Sequence, residues 1–219
     1  VVNYHREEVV GLAWGDKDGI YVGGPELLDS PVLKDFLEHQ PIKTYDFKRG
    51  KVLLARKGID LLPATFDSRL AKYLLSTVDD NALTTIAHLY GQTSLIPDEA
   101  IYGKGAKLAL PERDVFFPHL ARKVQVLLET EAPMLAKLEE NQQTDLLFEM
   151  ELPLANVLAK MEIAGIKVKV ETLKAMQAEN EVLIEQLTKE IYELAGQEFN
   201  INSPKQLGTI LFEDMGLPL

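Results

Sequence analysis

The chain has 219 residues, 46% of them hydrophobic and 26% charged, so it can bury a core, and disorder as a description of the whole is excluded. Lys and Arg number 23 against 34 Asp and Glu, a net charge of −11, which excludes a globally basic nucleic-acid binder but not a local basic face. Cys is absent, which removes disulfides, thiolate zinc sites and thiol nucleophiles together and fits a reducing cytoplasm.

No apolar run approaches the roughly 20 residues of a membrane helix, and no membrane partner is expected. The chain begins at Val1 without a basic-then-apolar signal pattern, and we read it as a piece of a longer polypeptide. Val9 to Trp14 and Ile20 to Val22 are β-prone runs around Gly15-Asp16-Lys17-Asp18-Gly19, which predicts a hairpin. Apolar residues between Pro25 and His39 recur at helical spacing. A short strand is expected over 41–45. Asp46 then N-caps a helix that stops near Gly58. Ile59 to Leu62 reads as another strand, halted by Pro63. Asp67 opens a helix carrying Leu70, Tyr73, Leu74 and Leu75, and a further helix runs from Ala82 to Tyr90.

Residues 97–107, with Pro97, Gly103 and Gly105, read as a loop. Beyond Pro111 the pattern is helical. Residues 116–138 form one long helix or two, with Pro118 and Pro133 as starts or kinks. Residues 145–164 form an amphipathic helix capped by Gly165. Residues 170–195 form a polar helix with an apolar seam from Leu173 to Leu194. Ser203 begins a last helix that reaches about Met215. Residues 1–140 hold 17 basic and 21 acidic side chains, and residues 141–219 hold 6 and 13. With the change from mixed to purely helical patterning, this places a boundary near residue 140.

Paired-cation phosphodiester chemistry requires three or four converging carboxylates. Asp46 and Asp67 both sit at predicted helix starts, where capping alone accounts for an acid. The four His residues form no metal-type cluster. No GxSxG, GxxxxGKS or GxGxxG motif is present. Near the end, Ser203-Pro204-Lys205-Gln206 combines an N-cap, Pro at N1 and Gln at N3, a capping box of the S-x-x-Q type. Such a helix start presents unpaired N–H groups that suit phosphate, and Lys205 adds a cation. A simply well-capped helix accounts for the motif equally well.

The segment Phe148-Glu149-Met150-Glu151-Leu152-Pro153-Leu154, continuing to Gly165-Ile166-Lys167-Val168, resembles the start of the polymerase domain of A-family DNA polymerases of the bacterial polymerase I type. The run from Glu198 through Asn202-Ser203-Pro204-Lys205-Gln206 to Glu213 resembles the tip of that family's thumb. Upstream, Gly58-Ile59, Phe66-Asp67, Tyr73-Leu74-Leu75 and Tyr102-Gly103-Lys104-Gly105-Ala106-Lys107 are similar to its 3′–5′ exonuclease-type domain. The Gram-positive branch is the nearest in character. The resemblance covers nearly the whole chain. It implies an α/β RNase H-like domain over 1–140, followed by all-α thumb helices over 141–219.

It also implies what is lost. Active members carry an Asp-x-Glu pair on the first strand, a position just before Val1. Counting back without gaps from Gly58-Ile59 puts Gly50 at the third metal carboxylate. A four-residue gap would put Asp46 there, about one helical turn or roughly 6 Å away, too far for a ligand held near about 2.1 Å. The last motif, Tyr-x-x-x-Asp in active members, here reads His119-Leu120-Ala121-Arg122-Lys123, so an ammonium replaces a carboxylate. The expectation is a non-catalytic exonuclease fold without a bound metal. The palm acids of nucleotidyl transfer would lie beyond Leu219, with Mg2+ as cofactor of the whole polymerase. Asn202, Ser203, Lys205 and Gln206 are the candidate phosphate contacts to primer–template DNA, weak in this piece alone, and a monomer is expected. The alternatives are a live exonuclease using Asp46, Asp67 and Asp114, and a helical interaction module that self-associates through the Leu173 to Leu194 seam.

Overall fold

The computed structural model describes residues 3–218. Its contacts divide the chain into two compact units, Val1–Gly165 and Ile166–Leu219.

The first unit opens with an antiparallel hairpin of β1 (Leu12–Gly15) and β2 (Ile20–Gly23), in which Leu12 faces Gly23 and Trp14 faces Tyr21. Asp16 makes the turn, its carboxylate accepting from the N–H groups of Asp18 and Gly19. The predicted 25–39 helix is interrupted. A 3₁₀ turn covers Pro25–Asp29, then Ser30 caps α1 (Pro31–His39) through its hydroxyl, with Pro31 at the first helical position. β3 (Lys43–Thr44) pairs in parallel with β4 (Phe66–Asp67), and α2 (Phe47–Ala55) lies between them in sequence.

The expected strand at 59–62 does not form. Ile59 and Leu61 are buried as alternation suggests, but the backbone there meets isolated partners instead of a strand: Ile59 N donates to the Leu54 carbonyl, Leu62 N to the Leu37 carbonyl, and side chains satisfy other groups. Glu38 accepts from the Asp60 N–H, and the buried ammonium of Lys51 donates to the Leu61 carbonyl at 2.5 Å. α3 (Ser68–Leu75) and α4 (Leu83–Leu89) follow as expected. The expected loop at 97–107 contains a one-turn helix, α5 (Asp98–Tyr102), and a 3₁₀ turn at Gly105–Lys107.

α6 (Arg113–Glu140) is one continuous helix of 28 residues that runs through Pro118 and Pro133. Its buried face, with Val126, Met134 and Leu138, compensates for the two missing N–H donors. The hairpin lies directly on it: a Cβ at Gly11 would meet the Phe116 ring at 2.8 Å. A π-helical turn at Leu146–Glu151 leads into α7 (Leu152–Ala164), which ends at Gly165 with φ 69°.

Two apolar clusters form the core of this unit. One gathers Phe66, Ile86, Leu95, Met134, Leu138 and Leu147, and the other Phe47, Leu54, Ile59, Leu61 and Ala155. Leu147 and Ala155 therefore belong to the packing of the first unit. The packing boundary falls at Gly165, while charge and pattern change near residue 140. The composition of 141–165 is that of the helices after it, but Leu147, Leu152, Ala155 and Ala159 are buried in the core before it, while the larger Met150, Leu154, Val157, Leu158 and Met161 on the same stretch stay exposed.

The second unit consists of α8 (Val170–Ala195), α9 (Pro204–Gly208) and a π-helical turn at Thr209–Asp214. Tyr192 donates to the Phe199 carbonyl at 3.0 Å, and their rings meet edge to face, which folds the connection back onto the end of α8.

Candidate functional site

The residues singled out from the sequence fall in two places. In the first unit, Gly50 and Lys123 line one cleft of about 670 Å³ with Arg49, Asp80, Asp98 and Glu99. Gly50 sits inside α2, where an added Cβ would have only Leu61 Cδ2 near it, at 3.9 Å. The position needs no glycine for steric reasons.

His119 and Lys123 are four residues apart on α6, so they share a face. Both reach Asp98 at the start of α5. His119 Nε2 lies 2.7 Å and Lys123 Nζ 2.6 Å from the same Asp98 Oδ1. A carboxylate only accepts, so the imidazole proton on that side sits on Nε2. His119 is fully buried, with Nδ1 left without a partner among the described residues. Burial works against ionisation of Asp98. The charge of Lys123, and the hydrogen bonds from Lys123 and His119, outweigh it and hold the carboxyl below its ordinary range. Tyr102 stands edge-on to His119 at 5.6 Å. Burial, aided by the Asp98 charge, pushes its phenol up to about 12.

Asp46 and Asp67 are brought together, as caps. Asp67 is buried and accepts from four backbone N–H groups, those of Asp46, Phe47, Arg69 and Leu70. One carboxylate thus closes the starts of both α2 and α3. Burial still pushes it above the ordinary carboxylate range, against those four donors. Asp46 adopts the left-handed conformation, φ 61°, accepts from the Arg69 guanidinium at 2.5 Å and caps Arg49 N. Asp114 lies in the first turn of α6 and lines neither this cleft nor the second one, which holds Asp46 and Asp67.

In the second unit, Ser203 caps α9, its Oγ accepting from Gln206 N at 3.4 Å. The capping box is completed one step further out than its pattern implies: Gln206 Oε1 accepts from Asn200 N at 2.8 Å instead of Ser203 N. Asn200 Oδ1 in turn accepts from Asn202 N. The Ser203 hydroxyl and the Gln206 side-chain carbonyl thus act as acceptors, and the hydroxyl proton and the Gln206 NH₂ group, with the Lys205 ammonium, find no acceptor among the described residues. Asn202, Lys205 and Gln206 are exposed, and Lys205 has no ion-pair partner among the described residues.

Residues 1–130 match the family model "DNA polymerase I, ribonuclease H-like domain". The chain belongs to this family. Residues 170–219 match "DNA polymerase family A". The chain is similar to DNA polymerase I of Streptococcus pneumoniae R6 (62% identical over 218 residues), of Lactococcus lactis subsp. cremoris MG1363 (54% over 217) and of Bacillus subtilis 168 (40% over 223). Each match covers 99% of this chain but only 24 to 25% of the relative, so the chain spans about a quarter of the length of the curated relatives it matches. It is also similar in fold to the POL domain of Pol1 from M. smegmatis, solved in complex with DNA primer-template and dNTP. That match has a TM-score of 0.68 and 26% identity, over 96% of this chain and 37% of the other. The RNase H-like α/β reading of the first part, followed by helices, stands.

The exonuclease-type resemblance implies divalent metal ions, and the cleft's own residues do not fit them. Four carboxylates line it, and each is committed. Asp46 holds Arg69, Asp80 accepts from Thr85 Oγ1 and Ala82 N, Asp98 holds His119 and Lys123, and Glu99 pairs with Lys104. Among the described residues no three His, Asp or Glu side chains converge as a ligand set. An ammonium inside the cleft adds repulsion toward any divalent ion.

Sequence reasoning missed Asp98. Pro97 followed by two acids is a helix-start signal that could have marked α5. Its pairing across 21 residues to His119 is set by tertiary packing and leaves no local trace.

Proposed function

We propose that the whole protein is a DNA-directed DNA polymerase of the polymerase I type. In it, residues 1–140 form a non-catalytic exonuclease-like domain and residues 141–219 begin the polymerase domain, including the thumb. The single observation that carries the inactivity is the Lys123–Asp98 ion pair at 2.6 Å, where the resemblance calls for a carboxylate facing a metal. With Gly50 offering no side chain and the remaining acids committed to cations, caps and hydroxyls, the cleft has nothing left with which to hold two cations. Mg2+ belongs to the polymerase reaction, in the part of the relatives that lies outside this chain.

The second unit supplies duplex contacts. The donors of Ser203, Lys205 and Gln206, with the exposed Asn202 beside them, suit phosphate oxygens, which position a duplex without reading its sequence. The primer-template DNA bound by the M. smegmatis polymerase supports this reading.

The test uses the full-length protein, a 5′-labelled primer–template and Mg2+, with and without dNTPs. Extension with dNTPs and an intact primer without them is expected. Primer shortening without dNTPs would favour the live exonuclease. Lys205→Ala should weaken duplex binding uniformly across sequences and lower the slope of log K against log salt by about 1. An unchanged slope would remove Lys205 from the contact set.

A further inference from the structure

We propose that Asp98, Lys123 and His119 form a latch that pins the segment from Pro97 to Ala109 onto α6. The proposal rests on the reading of the first unit as non-catalytic, since it treats Lys123 as a structural cation.

The segment needs such a device. Between Leu95 and Phe116 no residue is fully buried, and only Ile101, Tyr102, Gly103 and Pro111 are partly so, which leaves this segment with little apolar packing. What joins them to α6 is two pairs of side chains with helical spacing. Asp98 and Tyr102 stand four apart on α5, and His119 and Lys123 four apart on α6. Asp98 Oδ1 receives both donors of α6 at 2.6 and 2.7 Å. The Tyr102 ring meets the His119 ring at 5.6 Å, the Phe116 ring at 6.1 Å and the Lys123 ammonium at 5.8 Å. The Tyr102 carbonyl also accepts from Ala109 N at 2.8 Å, so the latch carries the rest of the loop with it. Because Ile96, Pro97, Asp98 and Glu99 form one wall of the cleft, the latch also fixes that wall.

A tethered ammonium has a property that a bound ion lacks. Its local concentration does not depend on solution, so the wall is held whether or not divalent cations are present. The charge-assisted contact is short and shared with a buried imidazole. It should therefore behave as one unit, so that removing either partner releases the same segment.

Amide hydrogen exchange on the full-length protein, with and without 5 mM EDTA, tests this, on the order of millimolar chelator being ample against trace metal. Lys123→Met keeps the apolar stem and removes the charge, and Asp98→Asn removes the acceptor charge. Because the Asp98 side chain is 58% exposed, each should speed exchange across 98–109 by about two- to fivefold while leaving α3 and α4 unchanged, and the double variant should do no more than either single one. Lys123→Arg should restore protection, and EDTA should have no effect on the wild type. Unchanged exchange over 98–109 in both single variants would overturn the latch, as would additive effects in the double variant. Primer shortening by the wild type would instead overturn the non-catalytic reading and leave the exchange result standing.

Discussion

The two units contrast in how much of their order they contain within themselves. The first has two buried clusters and contacts between residues far apart in sequence, such as Lys43 to Glu131 and Lys48 to Glu162. In the second, Ile210 alone is buried among the described residues, and its one ion pair is the i,i+4 contact of Glu185 with Lys189. The apolar seam of α8 is open: Leu173, Met176, Leu183 and Leu187 are each about half exposed. A helix of 26 residues has the length to form, but most helical stability in proteins comes from a packed face. The same kind of pattern, apolar residues at helical spacing, therefore carries different weight in the two places. In α6 it is spent inside the unit. In α7 only Leu152, Ala155 and Ala159 are buried, while Leu154, Val157, Leu158 and Met161 stay as open as the seam of α8.

The sharpest way to break this contrast is a matched pair of truncations. Leu147→Ala removes a fully buried side chain from the larger cluster and should cost about 2–5 kcal/mol in urea unfolding. Leu187→Ala in this 219-residue chain should stay within about 0.5 kcal/mol, because its site is already wet. Comparable losses at the two positions would mean that the α8 seam is covered in solution. Sedimentation would then show whether self-association covers it.

A smaller effect separates long-range from local electrostatics. Glu162, on α7, accepts from Tyr4 Oη at 2.8 Å and from the Lys48 ammonium, with His5 Nε2 at 3.3 Å. It thereby joins the N-terminal segment, α2 and α7. Burial raises its pKa, but the bonds from Lys48 and Tyr4 and the neighbouring charges outweigh this and hold it below its ordinary value. A depressed carboxyl stabilises the fold above the unfolded-state value, and that contribution is lost as pH falls through the folded one. Glu162→Gln should therefore lower stability near neutral pH, by about 1 kcal/mol at most, and converge with the wild type in acid. Parallel Tm curves across that range would show that the network contributes nothing. The equivalent change at Glu185, whose partner is local, should be close to silent.

The legible part of the molecule follows the same division. Helices α3, α4, α6, α7 and α8 could be read because period and punctuation agree there: Asp67 caps one, and Gly91, Gly165 and Gly196 follow others at positive φ. Ser203 as the cap of α9 was equally readable. The strand expected at 59–62 failed because its alternation is real but its backbone partners are scattered and form no ladder: the carbonyls of Leu54 and Leu37 and the side chains of Glu38 and Lys51. The Asp98 latch was invisible for the same reason. The family motifs placed Gly50 and Lys123, and the structure sets both on one cleft, but the partner that explains Lys123 comes from a segment with no periodicity at all.

Gly50 offers the smallest and most pointed test. A glycine inside a helix costs entropy relative to alanine, and proteins usually keep one where a neighbour comes too close or the backbone needs positive φ. Neither holds here: Gly50 is helical, and a Cβ would find only Leu61 Cδ2, in ordinary contact at 3.9 Å. Gly50→Ala should therefore stabilise the protein by about 0.5 kcal/mol, read as a raised urea midpoint at constant slope. A loss of stability would mean that the cleft beside α2 closes on this position in solution. In that case Gly50 is kept for packing, not left over from a site that once carried a side chain there.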